Sequence, residues 1–313
     1  MADAKKLIVT GGSGLIGRAL TADLTARGWQ VVILSRRPER VRGLPAGARA
    51  VGWDGRSADG WKEEVDGADG IVHLAGENVA DGRWTAAKKR RLRDSRIESS
   101  RAVMAAVEAV ETKPSFLLQS SAVGFYGDSG EVEIDETSPP GDDFLADLSV
   151  EWEATTAAAE DLGVRRAILR TGIVLARDGG ALPKMALPYK LGFGGPVGSG
   201  RQYVPWIHLA DEVAAIRFLI EHPTASGPFN LTAPSPVTNA ELGATLARVL
   251  RRPNLVPAPA FALRAVFGEM ARLLLGGQKA FPRALEGLGF EFQFGDLESA
   301  LRDLLKGEME PPA

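Results

Sequence analysis

The stretch "KLIVTGGSGLIGRAL" (6–20) constrains the fold more than any other part of this chain. An apolar strand pattern runs into glycines at 11, 12, 14 and 17 and then into a helical pattern. Gly12, Gly14 and Gly17 satisfy G-x-G-x-x-G, while Gly11, Gly14 and Gly17 satisfy G-x-x-G-x-x-G. Such a loop turns tightly and lets the backbone approach a pyrophosphate. The helix N-terminus supplies free N–H groups and a favourable dipole. The strand before and the helix after are what the motif needs to carry meaning. Gly11, Gly12, Ser13, Gly14, Leu15, Ile16 and Gly17 are therefore read as a dinucleotide-binding loop.

The first half continues in the same style. "KLIVT" (6–10), "VVILS" (31–35), "ARAVGW" (48–53), "GIVHLAG" (70–76), "SFLLQSS" (115–121) and "RRAILRTG" (165–172) have the continuous hydrophobicity of parallel strands buried on both faces. Helical patterns cover 15–28, 83–110 and 143–162. The alternation implies an α/β fold, a Rossmann-type doubly wound parallel sheet. Residues 1–235 make up this domain and include a glycine-rich substrate-loop region, 172–208. A linker, "TAPSPVTN" (232–239), precedes a smaller, mainly helical C-terminal domain at 236–313.

Composition excludes several function classes. Without cysteine the chain has no disulfide, thiol nucleophile or thiolate metal site, and a reducing cytoplasm is the expected location. Three widely spaced histidines make a catalytic zinc site unexpected, so no metal is assigned. A net charge of −3 gives no global field for nucleic acid or an anionic membrane. No segment approaches the ~18 apolar residues of a membrane span. The N-terminal apolar run is too short for a signal peptide. The expected partner is a small-molecule substrate.

The second strand ends in Ser35, Arg36 and Arg37, where an NAD-binding loop would place an acid for the ribose hydroxyls. Guanidinium groups there suit a 2′-phosphate, so NADP(H) is expected rather than NAD(H).

"TGGSGLIG", "HLAG" (73–76), "SSAVGFYG" (120–127) and "WIHLADEV" (206–213) occur in the order seen in extended short-chain dehydrogenases/reductases, the branch of nucleotide-sugar epimerases and dehydratases. "HLAGENVADGRW", "SRIESS", "GGPVGSGRQYVPWIH", "GPFNLTAPSPVTN" and "GGQKAFP" more closely resemble an atypical subgroup called "epimerase family protein", with a C-terminal domain of unknown role. The resemblance implies that Leu74, Ala75 and Gly76 adjoin the cofactor. It also implies a Ser, a Tyr and a Lys four residues after the Tyr as the catalytic set, and Ser121 matches the Ser. The Asn that completes the set falls at Arg96, and the Tyr and Lys fall near Leu148 and Trp152.

The tyrosines stand at 126, 189 and 203, and none is followed by lysine four residues on. The expected Tyr–Lys pair is therefore absent, and other groups must be weighed. Ser121 and Tyr126 are the first catalytic candidates, although a tyrosine without assistance titrates near ~10 and is a poor base. Glu77, Lys88, Arg96, Lys184, Gln202, Tyr203 and Trp206 are substrate-pocket candidates. "KKRRLRDSR" (88–96) also reads as a solvated basic helix face. Asp211 is a candidate N-cap for the helix that follows His208. Asp147 and Glu151, at i, i+4, are like charges open to a functional or a purely solvated reading.

Three functions fit. The first is an NADP(H)-dependent oxidoreductase or epimerase-like enzyme acting on a small polar or nucleotide-linked compound. The others are a catalytically silent NADP(H)-binding sensor and a nucleotide-sugar epimerase with a relocated base. By analogy with the resembled superfamily, a homodimer would pair helices 83–110 and 143–162.

Overall fold

Seven apolar runs pair in parallel into one sheet: β1 (Lys6–Thr10), β2 (Gln30–Ser35), β3 (Ala48–Gly52), β4 (Gly70–His73), β5 (Phe116–Ala122), β6 (Arg165–Thr171) and β7 (Gly227–Leu231). Their order across the sheet is β3-β2-β1-β4-β5-β6-β7 in this computed structural model, which describes residues 4–306. The order of strand addition switches from one side of β1 to the other at β4, which opens a crevice at the carboxyl edge of these two strands.

Alternate residues serve opposite faces. Leu7, Val9, Val31 and Ile33 pack towards α1 (Leu15–Ala26) and α5 (Leu209–Glu221). Ile8, Val32 and Leu34 pack towards α2 (Ala86–Ala109). The sequence pattern does not reveal β7, because Gly227, Pro228 and Asn230 lower its strand propensity. It forms the sheet edge beside β6, where a proline is tolerated.

The helix expected over 143–162 is shorter than its pattern suggests. α3 covers Phe144–Ala154, with Asp143 accepting hydrogen bonds from Leu145 N and Ala146 N at its start. Neighbouring side chains capture the carbonyls at its other end. Gln119 Nε2 (2.6 Å) and Thr155 Oγ1 (2.5 Å) donate to Trp152 O, and Arg166 Nη2 donates to Glu153 O. Those carbonyls are no longer available to extend the helix.

A second lobe is built from two separate stretches. α4 (Leu182–Lys190) lies in the 172–208 region. The C-terminal stretch supplies α6 (Asn239–Leu250), α7 (Ala260–Phe267), α8 (Arg272–Leu275), α9 (Arg283–Gly287) and α10 (Leu297–Leu304). Thr238 and Glu241 start α6 with reciprocal cap bonds. Leu175, Leu182 and Trp206 share one core with Leu242, Leu246, Leu297 and Leu301. Residues of the 172–208 region thus pack with the C-terminal stretch.

Asp211 joins the lobes, accepting from Gln293 N (2.8 Å) and Phe294 N (2.9 Å). It is not the N-cap of α5. His208 takes that place through Nδ1, because its own backbone is extended at the strand end and reaches Ala210 N at 3.0 Å.

Candidate functional site

The glycine loop meets the steric requirements of an anion cradle. Gly11 has φ +65°, and a Cβ there would lie 2.7 Å from Leu74 O. At Gly17 a Cβ would lie 2.5 Å from Gly12 Cα. Gly14 is the N-cap of α1 and makes no side-chain cap bond, and the first turn holds no acid. The opening N–H groups of α1 therefore face the crevice without a side-chain acceptor, which favours a phosphate. Leu15 packs against Gly179 and Gly180 of the substrate-loop region. Ser35 ends β2, and Arg36 and Arg37 follow it, both exposed. Among the described residues, neither guanidinium has a hydrogen bond or ion pair.

Behind the crevice, His73 is buried and bridges Thr10 Oγ1 (2.7 Å) and Ser100 Oγ (3.0 Å). Thr10 Oγ1 also accepts from Leu74 N and Ala75 N, so it donates to the ring, and His73 is neutral. Burial pushes its pKa down to about 3, in keeping with that role. This network fixes Leu74, Ala75 and Gly76 beside the glycine loop.

Gly76 leads from the crevice to a cavity. A Cβ at Gly76 would lie 3.3 Å from Arg96 Cζ, so the missing side chain lets the guanidinium rest against the loop. Arg96 also stacks on Trp152, with Cζ 4.8 Å from the ring centroid. Its Nη1 donates to Glu77 O (3.1 Å) and Leu92 O (3.0 Å). Among the described residues, no acceptor meets Nε or Nη2. Burial pushes the Arg96 pKa down to about 10, with the Glu77 charge opposing.

The cavity, of about 1210 Å³, lies between α3, the substrate-loop region and helices α6 to α8. Trp84, Phe144, Leu148, Trp152 and Met270 give it a largely apolar wall. Lys184, Gln202 and Tyr203 also line it. Gln202 Nε2 donates to Val197 O and Leu274 O, which leaves its buried Oε1 without a partner. Leu148 and Trp152 thus present hydrocarbon and indole to the cavity where the resembled superfamily would place Tyr and Lys.

Other sequence candidates lie elsewhere. Glu77 accepts from Lys88 Nζ at 2.7 Å and from Arg91 Nε at 3.3 Å. The Lys88 bond holds the Glu77 carboxyl below its usual range. Lys88 is itself buried and also bonds Asn78 O, so this pair closes on itself outside the cavity. Trp206 is buried in the second lobe, and its Nε1 is unpartnered. Of the paired acids, Asp147 is exposed and Glu151 bonds Arg93, so the two do not form a site.

Ser121 and Tyr126 also lie off the cavity wall. Strand alternation gives the cavity to Ala122 and turns Ser121 away, where its Oγ donates to Glu153 Oε1 at 2.6 Å. Glu153 receives both arms of Arg170 at 2.9 Å. Arg170 Nη1 reaches Tyr126 OH (2.9 Å), which donates to Asn230 Oδ1 (2.8 Å). Burial pushes the Tyr126 pKa up to about 12, with Arg170 pulling the other way.

Glu212 escaped the sequence reading. It is fully buried at the start of α5; Oε1 accepts from Thr171 Oγ1 at 3.0 Å and Oε2 has no partner. Burial pushes its pKa up to about 8. The signal was available: Glu212 lies in register with Ala215, Ile216 and Leu219, inside the apolar stripe of its helix.

Sheet order, glycine loop and crevice define the class as Rossmann-type proteins with a smaller helical C-terminal region appended. The chain belongs to the NAD dependent epimerase/dehydratase family, whose model matches residues 7–232. A domain of unknown function, DUF1731, matches residues 258–304. "Epimerase family protein Mb2239" of Mycobacterium bovis is 42% identical over 294 residues, covering 94% of this chain and 95% of that one. The crystal structure of human epimerase family protein SDR39U1 (isoform2) with NADPH is similar at TM-score 0.86 and 36% identity, covering 96% of this chain and 98% of that one. "MoeE5 in complex with UDP-glucose and NAD" has TM-score 0.77 at 20% identity, covering 97% and 100%, and shares the fold.

Proposed function

We propose that this chain is an NADP(H)-dependent oxidoreductase in which Arg96 polarises the substrate oxygen. The carrying observation is the half-buried Arg96 guanidinium, with two nitrogens unengaged, between Gly76 of the cofactor crevice and the cavity wall. The glycine loop and the first turn of α1 would hold the pyrophosphate. Arg36 and Arg37 would take the 2′-phosphate, and Leu74 to Gly76 would flank the remainder. The bound nicotinamide supplies or accepts a hydride. NADPH in the human relative's structure supports this assignment.

Arg96 has the chemistry to stabilise an oxygen that becomes negative as hydride arrives. Burial leaves its charge short of compensation, so an anion there recovers energy that water supplied before folding. Trp152 fixes the plane of the guanidinium and keeps water from one face. The apolar wall favours a carbonyl or alcohol carried on a mainly hydrocarbon body over the polar or nucleotide-linked compound expected from sequence. No side chain on that wall is assigned as proton donor, and the alkoxide takes its proton from solvent.

Titration with NADPH and NADH tests the cofactor half. NADPH should bind more tightly, and Arg36→Ala or Arg37→Ala should each weaken it about tenfold, as loss of a charge-assisted hydrogen bond does. Equal affinity for both cofactors would remove the 2′-phosphate assignment. A panel of apolar and polar carbonyls with NADPH tests the other half. Arg96→Met should lower turnover by roughly 100-fold while leaving NADPH affinity unchanged. NADPH binding without turnover of any compound would instead favour the silent sensor.

A further inference from the structure

We propose that the rim of the cavity is a docking surface for an anionic phospholipid bilayer. It is carried by two stretches, 187–193 and 255–266, which hold most of the large apolar side chains exposed among the described residues. Leu191 (63% exposed), Phe193 (65%), Leu255 (79%) and Phe261 (75%) stand out among them. The stretches are neighbours, because Leu255 N and Val256 N both donate to Gly194 O, at 2.8 and 2.9 Å. Phe193 and Val256 also line the cavity, so the patch is continuous with its mouth.

α7 extends the surface. It reads AFALRAVF, apolar on all sides apart from Arg264, and contains no buried residue. Leu263 and Phe267 face the cavity, while Phe261 and Val266 are exposed. A helix apolar all round belongs inside a protein or against lipid, and among the described residues none covers Phe261 and Val266 on the outer side of α7. Arg83 Nη2 to Ala265 O (3.0 Å) and Lys89 to Glu269 (2.5 Å) tether the segment to the sheet domain.

Charge selects the occupant. The chain has 40 acids against 37 Lys and Arg, yet residues 179–210 and 242–268 contain no Asp or Glu. Lys184, Lys190, Arg251, Arg252 and Arg264 lie within or a few residues from the two stretches and are all exposed. The modest net charge thus conceals one-signed stretches on this side of the rim, while Asp128, Asp142, Asp143 and Glu269 line other parts of the cavity. A second copy docked symmetrically would set this basic side against itself, which like charges oppose. Anionic headgroups pair with Arg251, Arg252 and Arg264 while Phe261, Leu255 and Leu191 enter the interfacial layer. No helix among the described residues is long and apolar enough to cross a membrane, so the contact is peripheral. The proposal stands on this surface and does not depend on the oxidoreductase reading.

Flotation of the full chain with vesicles tests it, using phosphatidylcholine alone and with about one-third phosphatidylglycerol. The chain should float with the mixed vesicles and stay behind with the neutral ones. Arg251→Glu with Arg252→Glu should weaken binding at least tenfold by ~1 kcal/mol per charge removed. Leu255→Asp with Phe261→Asp should abolish it. Unchanged thermal midpoints and NADPH affinity would show that these variants fold. Failure to float with either vesicle, equal flotation with both, or flotation unaffected by the variants would overturn the proposal. A concentration-dependent dimer dissolved by the same variants would also overturn it and give the patch to self-association.

Discussion

A buried arginine and a half-buried one behave in opposite ways, and the contrast separates scaffold from site. Arg170 crosses from β6 to α3, where both arms meet Glu153, and its remaining nitrogen meets Tyr126. Burial works against its charge, but Glu153 more than compensates and leaves its pKa above the ordinary value. Arg96, also held on the α3 side of the sheet, has two carbonyls and an indole face but no carboxylate. Its pKa falls to about 10. A buried charge with a complete partner set holds a fold together, whereas one left short is held ready for a partner from outside.

The largest expected effect tests the closed half. Arg170→Met strands the largely buried Glu153 carboxylate and should cost about 3 kcal/mol in urea unfolding, at the low end for breaking a buried pair. Arg96→Met removes a charge with no ionic partner and should cost about 1 kcal/mol. If the two losses came out equal, the distinction between closed and open arginine would fail.

Glu212 extends the contrast to an acid. With its pKa raised to about 8 from an ordinary 4.5, the folded chain keeps a proton that the unfolded chain releases. Stability from this group is therefore greatest below the unfolded value and declines as pH rises towards 8. The loss by pH 7 is up to about 3 kcal/mol. Glu212→Gln should flatten this slope, and urea midpoints of both proteins at acidic and neutral pH would show it. Parallel pH profiles would mean that Glu212 is charged and paired in solution.

Much of the sheet was legible because buried parallel strands are continuous apolar runs, and Gly11 to Gly17 announce the crevice by their spacing. β7 was hidden by Gly227, Pro228 and Asn230, which an edge strand tolerates. The end of α3 was hidden because Gln119 and Arg166, on other strands, capture its carbonyls. Arg96 could be singled out by its place in the resembled pattern, but its stacking on Trp152 depends on two helices meeting. Ser121 and Ala122 show the limit most clearly. They are adjacent in sequence, yet strand phase alone gives one to the buried network and the other to the cavity.

The smallest effect concerns Tyr126, the residue that sequence favoured for catalysis. Its hydroxyl accepts from Arg170 and donates to Asn230, whose Nδ2 continues to Phe281 O at 2.9 Å. With a pKa near 12 it neither gives up its proton at neutral pH nor faces the cavity. Tyr126→Phe should therefore cost about 1 kcal/mol of stability, the loss of a buried hydrogen bond, and leave turnover unchanged. Ser121→Ala should behave alike, since Glu153 keeps both arms of Arg170. Substrate turnover that collapsed in Tyr126→Phe with the fold intact would move the chemistry into the closed network. It would also reverse the roles assigned to the two arginines.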